Sequence, residues 1–171
     1  MIRTFIAIKI PDDIKGRIAQ FQKRAAAEER SIRWVNVNNI HITLKFIGEI
    51  PESLVKKIVI NIFEKPSLTN ALEIGLKGTG VFPDVRRPRI VWVGITSGSE
   101  QLTKLVFELE SKLLDLNIPK DSRKFKPHVT IGRLKQNQKL KDPEIFDDSG
   151  AFDAGQFMAK NIVLMKSDLK P

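Results

Sequence analysis

Both histidines of this 171-residue chain lie in one four-residue pattern, in which histidine is followed by an apolar residue, threonine and a second apolar residue. The two copies are His41-Ile42-Thr43-Leu44 and His128-Val129-Thr130-Ile131. A single histidine in a strand is more often a structural residue than a catalyst. Because every histidine of the chain stands in the same pattern, the sequence indicates two related half-sites that arose by internal duplication.

Both patterns fall in predicted β-strands, whose side chains alternate between the two faces of a sheet. His41 and Thr43 therefore share one face, and His128 and Thr130 share the corresponding face of the second strand. The apolar residues of each pattern point the other way and anchor the strand in the core. If the strands lie side by side across a pseudo-twofold axis, we expect all four polar side chains to meet in one cleft.

Two imidazoles and two hydroxyls in one cleft suit phosphodiester chemistry. An unperturbed histidine has a pKa of about 6.5, so one ring can take a proton from water while the other protonates a leaving oxygen. Threonine hydroxyls can donate hydrogen bonds to phosphate oxygens. We predict no metal and no cofactor, since the chain has no cysteine and no carboxylate falls within either pattern.

Residues beside the two patterns are weaker candidates for substrate binding. Lys45 is expected on the same strand face as the first histidine, where its ammonium group would meet phosphate. Arg133 falls by strict alternation on the face opposite the second histidine, and a bulge near Gly132 would turn it into the cleft. Phe125 and Lys126 precede the second histidine, and the phenyl ring could stack on a base.

Other aromatic and basic residues are given a structural interpretation or left open. Three aromatic residues are expected in the core: Trp34, Phe82 and Trp92. Three arginines of a proline-rich loop are equally well explained as polyanion contacts or as solvated loop residues: Arg86, Arg87 and Arg89.

The charge balance favours a polyanionic partner. Lys and Arg number 29 against 20 Asp and Glu, which gives a net charge of +9. Nucleic acid is the first candidate and an acidic membrane the second, while a merely solvated basic surface remains an alternative. The absence of cysteine favours a reducing cytoplasm, and no apolar run is long enough for a signal peptide or a membrane span.

Apolar periodicity predicts an α+β fold. Strands are expected at 3–10, 32–37, 40–47, 72–82, 89–96 and 125–134, with at least one more in 151–164. Helices are expected after Pro11, after Pro51 and over about 100–116. Strands that follow one another directly indicate antiparallel sheet. No linker divides the chain, so residues 1–171 are expected to form one domain of two related lobes.

The sequence resembles the 2H phosphoesterase superfamily, and within it the bacterial and archaeal RNA 2′,3′-cyclic phosphodiesterases, also called 2′-5′ RNA ligases. The segments RTFIAI, HITLKFIGEI, GVFP with RIVWVGI, and FKPHVTIGRLK occur in the family's order over nearly the whole chain. The resemblance implies a two-lobed α+β fold with antiparallel sheets around a central cleft and helices outside.

The resemblance also implies a substrate and residue roles. The substrate is RNA with a 2′,3′-cyclic phosphate end, such as a tRNA half, opened to a 2′-phosphate. The reverse reaction, which joins such an end to a 5′-hydroxyl through a 2′,5′ linkage without ATP, is implied as well. Separately from the resemblance, we expect the protein to be a monomer. His128 is the implied base and His41 the implied acid. Phosphate contacts carry over to Thr43, Thr130 and Arg133. Family members usually continue with a Gly-Pro turn and a final strand, which we expect to be missing after Pro171.

Two other functions remain open from the sequence. An RNA-binding module would use the same cleft without turnover, and an enzyme of the same fold would act on a small cyclic nucleotide. The charge of +9 favours RNA over the small metabolite.

Overall fold

The structure is a computed structural model that describes residues 1–64, 71–136, 138–146 and 151–167. Its strands and helices are, in chain order, β1 (Ile2–Lys9), α1 (Asp12–Glu28), β2 (Ile32–Trp34), β3 (His41–Ile50), α2 (Glu52–Ile58), β4 (Leu72–Phe82), β5 (Ile90–Ile95), α3 (Ser99–Leu114), β6 (His128–Leu134), β7 (Asp153–Ala159) and β8 (Val163–Lys166). The predicted α+β class is confirmed. β6 begins at His128, three residues later than predicted, and the expected lack of a final strand concerns positions outside the described residues.

The two long helices bury the apolar stripes that the sequence predicts. Asp12 and Asp13 occupy the first turn of α1, where carboxylates interact favourably with the helix dipole. The buried residues of α1 are Ile14, Ile18, Phe21, Gln22 and Ala25. Those of α3 are Leu102, Leu105, Val106, Leu109 and Leu113.

The described strands form one antiparallel sheet in the order β7-β4-β5-β6-β3-β1-β8, with β2 paired to β6 beside this path. β1, α1 and β3 make up one lobe, and β5, α3 and β6 repeat the same order in the other. The lobes meet where β6 pairs with β3. Further along, β6 pairs with β2 instead, so β6 is the strand through which the second lobe contacts the first.

Alternation along β1 separates the two faces of the sheet. Ile6 and Ile8 are at most 1% exposed and belong to the same buried cluster as the apolar stripes of α1 and α3. Phe5, Ala7 and Lys9 point to the opposite face. The helices therefore cover one face, as predicted, and the other face is left for the cleft.

Among the described residues, no helix combines the length and the apolar character that crossing a bilayer requires.

Alanine substitutions at two glycines are expected to change the free energy of unfolding in opposite directions. A Cβ at Gly94, in β5, would lie 2.8 Å from the backbone oxygen of Lys77 on β4, so we expect Gly94→Ala to lower the free energy of unfolding by about 1–3 kcal/mol. Gly16 lies in α1, and a Cβ at this position would have nothing within 4 Å. We expect Gly16→Ala to raise the free energy of unfolding by about 0.5–1 kcal/mol. Urea denaturation measures both, and equal effects of the two changes would contradict the packing described.

Candidate active site

The pairing of β3 with β6 brings the four polar residues of the two patterns together. Ile42 pairs with Val129 on the buried face. In an antiparallel ladder this register sets His41 opposite Thr130, and Thr43 opposite His128, on the cleft face. The histidines occupy diagonal positions, which are about 7–8 Å apart in a regular ladder. The predicted meeting of both motifs in one cleft agrees with this register.

Each imidazole is oriented by the carbonyl two residues before it. His41 Nδ1 lies 2.7 Å from the Asn39 oxygen, and His128 Nδ1 lies 2.7 Å from the Lys126 oxygen. A carbonyl oxygen can only accept a hydrogen bond, so Nδ1 carries the proton in both rings. Nε2 is then the atom of each ring that is available for proton transfer.

Burial and nearby cations lower the pKa of both histidines. For His41, burial is the largest cause, the hydrogen bond to Asn39 opposes it, and the charge of Lys15 adds to it. For His128, burial again lowers the pKa most and the charge of Arg133 lowers it further. The charges that act on both rings are positive, which suits an anionic ligand.

The two threonine hydroxyls are available to a ligand. Thr43 and Thr130 are half-buried. Within the part of the chain that the structure describes, neither hydroxyl makes a hydrogen bond. Each can therefore donate its proton to an oxygen atom bound in the cleft.

Each histidine strand contains a β-bulge at the fourth residue of its pattern. The extra residue is Leu44 in the β1–β3 ladder and Ile131 in the β5–β6 ladder. A bulge reverses the alternation of the residues that follow it. The residue five positions after each histidine thereby faces the cleft, and the residue four positions after it does not.

The second bulge turns Arg133 into the cleft, as the sequence predicted for a bulge near Gly132. The side chain is exposed, and its charge lowers the pKa of the His128 imidazole. Arg133 therefore stands beside the second histidine on the cleft face.

The prediction that Lys45 lines the cleft is wrong. The bulge at Leu44 turns Lys45 to the core face, where it pairs with Ile6 and is 2% exposed. Its Nζ lies 2.7 Å from Glu110 Oε1 and 2.9 Å from Asp121 Oδ1. The lysine is thus a buried ion-pair partner and not a phosphate ligand.

The Glu110 contact connects β3 to α3 and to the loop that leads into β6. Glu110 Oε1 also accepts a hydrogen bond of 2.8 Å from the Asp121 backbone N–H. Burial raises the pKa of Glu110, but this bond and the Lys45 ammonium group outweigh it and hold the pKa below its ordinary value. The same loop supplies the Lys126 carbonyl that orients His128.

The Gln22 contact makes the matching connection from α1. The Gln22 amide donates hydrogen bonds of 2.9 Å to the Val35 oxygen and 2.9 Å to the Ile131 oxygen. Val35 precedes the first histidine, and Ile131 is the bulge residue of the second strand. Each long helix thereby holds the loop before its own lobe's histidine and the bulge region of the other lobe.

Phe46 is a cleft residue that the sequence analysis did not identify. It follows the first bulge, and 58% of it is exposed. Its ring centroid lies 5.8 Å from that of Phe5, which stacks on His41 at 4.8 Å. Phe46 stands five residues after His41, as Arg133 does after His128, and this equal spacing is the signal that could have revealed it.

Phe82 and Trp92 line the cleft, and the prediction that they are core residues is wrong. The Phe82 ring meets His128 edge-on, with centroids 5.1 Å apart, and lies 5.2 Å from Trp92. Trp92 pairs with Thr130 and so shares its face of the sheet, with its indole lying directly on Gly80.

Phe125 and Lys126 lie in the loop before β6 and not in the strand predicted there. Phe125 is half-buried and packs against the core, which argues against the base stacking expected of it. Lys126 is exposed, with its Nζ 5.6 Å from the Phe82 ring centroid, so it remains a candidate phosphate contact. Trp34 packs against the core as predicted.

The loop between β4 and β5 is shaped by Asp84, whose Oδ1 accepts hydrogen bonds of 2.8 Å and 3.1 Å from the backbone N–H groups of Arg86 and Arg87. The side chains of Arg86, Arg87 and Arg89 are exposed. Their contact with a polyanion stays a prediction.

A cavity of about 770 Å³ opens at the end of α1, and neither histidine lines it. Its wall includes Glu29, Ser31 and Lys141. Glu29 accepts hydrogen bonds of 2.6 Å from the Ser31 hydroxyl and 2.6 Å from the Lys141 backbone N–H. These bonds satisfy the Glu29 carboxylate, and we assign no chemistry to the cavity.

The class of the protein follows from this fold and a family comparison. The sequence model of the LigT-like phosphoesterases matches residues 8–92 and again residues 93–171. The chain therefore belongs to the LigT-like phosphoesterase family. Each of the two matches contains one of the paired motifs, which supports the internal duplication inferred from them.

Curated relatives refine the class. The chain is 38% identical over 175 residues to the RNA 2′,3′-cyclic phosphodiesterase of Methanocaldococcus jannaschii, with 99% of this chain and 94% of the relative covered. It is 32% identical to the protein of the same name from Aquifex aeolicus, with 99% and 90% covered. The resemblance to this branch of the 2H phosphoesterases is confirmed.

Solved structures share the fold. The crystal structure of TT0787 from Thermus thermophilus superposes with a TM-score of 0.82 at 25% identity, covering 99% of this chain and 90% of that one. The LigT structure from E. coli complexed with 3′-AMP gives 0.77 at 23% identity, with 99% and 90% covered. The two-lobed antiparallel architecture is thus confirmed.

The buried lysine gives a test of the Glu110 contact. Lys45→Met strands a carboxylate that is 14% exposed, and we expect the free energy of unfolding to fall by about 3–5 kcal/mol. Adding Glu110→Gln should restore part of the loss. Lys56 forms an i,i+4 pair with Glu52 at 3.5 Å on the surface, so Lys56→Met should cost less than about 1 kcal/mol. Urea denaturation that gave the same loss for both lysines would contradict a buried network.

Proposed function

We propose that this protein hydrolyses the 2′,3′-cyclic phosphate at the end of an RNA chain to a 2′-phosphomonoester. The observation that carries the proposal is the pair of histidines at diagonal positions across the β3–β6 pairing, each with Nδ1 held by a carbonyl. Each ring then offers Nε2 for proton transfer. The relatives that bear the name of this activity match 99% of the chain.

The two rings divide the proton transfers. Nε2 of His128 takes a proton from water as the water oxygen forms a bond to phosphorus. The bond from phosphorus to the 3′ oxygen breaks, and Nε2 of His41 gives its proton to that oxygen. The products are a 2′-phosphate and a free 3′-hydroxyl. Each transfer contributes about 10²–10⁴-fold to the rate.

The remaining cleft residues stabilise and orient the phosphate. Thr43 and Thr130 donate hydrogen bonds to its non-bridging oxygens, and the Arg133 guanidinium neutralises the charge that grows on them. Lys126 adds a second cation at the mouth of the cleft. The exposed ring of Phe46 provides a stacking surface for the terminal base.

The proposal extends to the oligomeric state, the compartment, the RNA substrate and the reverse reaction. We propose that the protein acts as a monomer in the cytoplasm, the compartment favoured by the absence of cysteine. RNA ends of the kind left on cleaved tRNA are the proposed substrates. Reversal of the reaction, with the 5′-hydroxyl of a second RNA as the nucleophile, would join ends through a 2′,5′ linkage without ATP.

The decisive experiment is incubation with an oligonucleotide that ends in a 2′,3′-cyclic phosphate, in EDTA. We expect a 2′-phosphomonoester, identified by its resistance to a 3′-specific phosphatase. His41→Ala and His128→Ala should each lower kcat by about 10²–10⁴-fold while they leave most of the affinity.

Three outcomes would contradict the proposal. Tight binding with no product by the parent protein would favour an RNA-binding module. A requirement for added metal would exclude the two-histidine mechanism. A much higher kcat/KM for a cyclic mononucleotide than for the oligonucleotide would indicate a small-molecule substrate.

The lowered pKa values predict the pH dependence of kcat/KM, which reports the free enzyme. The base must be neutral and the acid must be protonated. Because burial lowers the pKa of both His41 and His128, we expect the bell-shaped profile to lie on the acid side of the ordinary value of about 6.5. The rate should fall as pH rises through the lowered pKa of the acid.

Lys15 distinguishes the two roles. Its charge lowers the pKa of His41, so Lys15→Gln should raise that pKa. With His41 as the acid, the alkaline limb of the profile moves to higher pH and the acid limb stays. Lys23→Gln, at an exposed position of the same helix, is the control and should move neither limb. If Lys15→Gln moved only the acid limb of the profile, His41 would be the base and His128 the acid.

A further inference from the structure

Arg133 has a second arginine directly across the ladder. β2 pairs with β6 so that Arg33 lies opposite Arg133, between the pairs Ile32–Leu134 and Trp34–Gly132. Opposite residues of an antiparallel pair point to the same face, with Cβ atoms about 4.5–5.5 Å apart. The two guanidinium groups therefore project from neighbouring positions.

The packing around Gly132 shows which face this is. A Cβ on Gly132 would lie 2.7 Å from Ile32 Cγ2 and 3.2 Å from the Trp34 ring, so those side chains cover Gly132 on the buried face. Arg33 stands between them in the strand and points the other way. It therefore shares the cleft face with Arg133.

Among the described residues, no carboxylate forms an ion pair with either arginine. Both side chains are exposed. Like charges directly opposite in a sheet are destabilising. This cost would be offset whenever an anion lies over the pair.

We propose that Arg33 binds the phosphodiester that joins the terminal nucleotide to the rest of the RNA, one linkage before the cyclic phosphate. The inference rests on the proposed function, in which Arg133 contacts the reacting phosphate. Arg33 stands on the strand next to that of Arg133, about 4.8 Å away in the pairing direction. A cyclic mononucleotide with a free 5′-hydroxyl has no group to occupy this position, so Arg33 favours polynucleotide ends over cyclic mononucleotides.

The test compares kcat/KM for three substrates: a cyclic mononucleotide, a short oligonucleotide with a cyclic phosphate end, and the same oligonucleotide with a neutral methylphosphonate at its first linkage. We expect Arg33→Gln to lower the ratio of oligonucleotide to mononucleotide by about fivefold to tenfold, the effect of one charge-assisted hydrogen bond at an exposed site. The methylphosphonate should lower the ratio of the parent protein similarly. Combined with Arg33→Gln, the methylphosphonate should have little further effect.

Salt dependence gives a second readout. Loss of one phosphate contact to single-stranded RNA should reduce the slope of log K against log salt by about 0.7. Arg33→Lys keeps the charge and should keep most of the ratio and the slope. Arg24→Gln, an exposed position on α1, is the matched control and should leave both unchanged.

The outcomes separate the two proposals. If the parent protein turns over neither natural substrate, the proposed function fails and this inference fails with it. If turnover is normal and Arg33→Gln leaves the ratio within twofold of the parent protein, only the role of Arg33 is overturned. An equal fall for Arg24→Gln would likewise overturn it, since the effect would then reflect net charge alone.

Discussion

The candidate site depends on two buried polar contacts that run in opposite directions between the lobes. The Gln22 amide of α1 holds the carbonyl of Ile131, and the Glu110 carboxylate of α3 holds Lys45. An unsatisfied polar group in the interior is costly, so neither bulge region can separate from the opposite lobe's helix without a large penalty. Because both bulge regions are held in this way, the two histidine strands keep a fixed position relative to each other, although the histidines are far apart in the sequence.

The two contacts lie at corresponding positions of the two lobes, but they are different kinds of interaction. The Gln22 contact is neutral and bonds only to backbone oxygens. The Glu110 contact is ionic and includes a lysine side chain that is 1% exposed. A buried ion pair gains little net stability over apolar packing, but removal of one partner is severe. In both lobes, a side chain of the long helix is thus bonded to the bulge region of the other lobe. The cost of losing one partner differs, because one contact is neutral and the other is ionic.

The sequence was sufficient to predict the secondary-structure elements and the paired motif. It was insufficient to predict which face of the sheet each flanking residue occupies. Periodicity predicted α1, α3 and every strand containing a histidine, because burial imposes that periodicity directly. Lys45 was misplaced because strict alternation cannot register a bulge at Leu44, which depends on pairing with β1. Phe82 and Trp92 were assigned to the core because their type is apolar, whereas their place follows from their pairing beside His128 and Thr130.

The divergence between Phe46 and Arg133 makes a symmetric scaffold asymmetric. Both residues follow a bulge and both face the cleft, yet one is apolar and the other is cationic. A duplicated fold with identical residues here would accept a ligand in two orientations related by its twofold axis. With an aromatic ring at one end and a positive charge at the other, the two ends of the cleft offer different contacts, so the two orientations related by the twofold axis are no longer equivalent for a ligand.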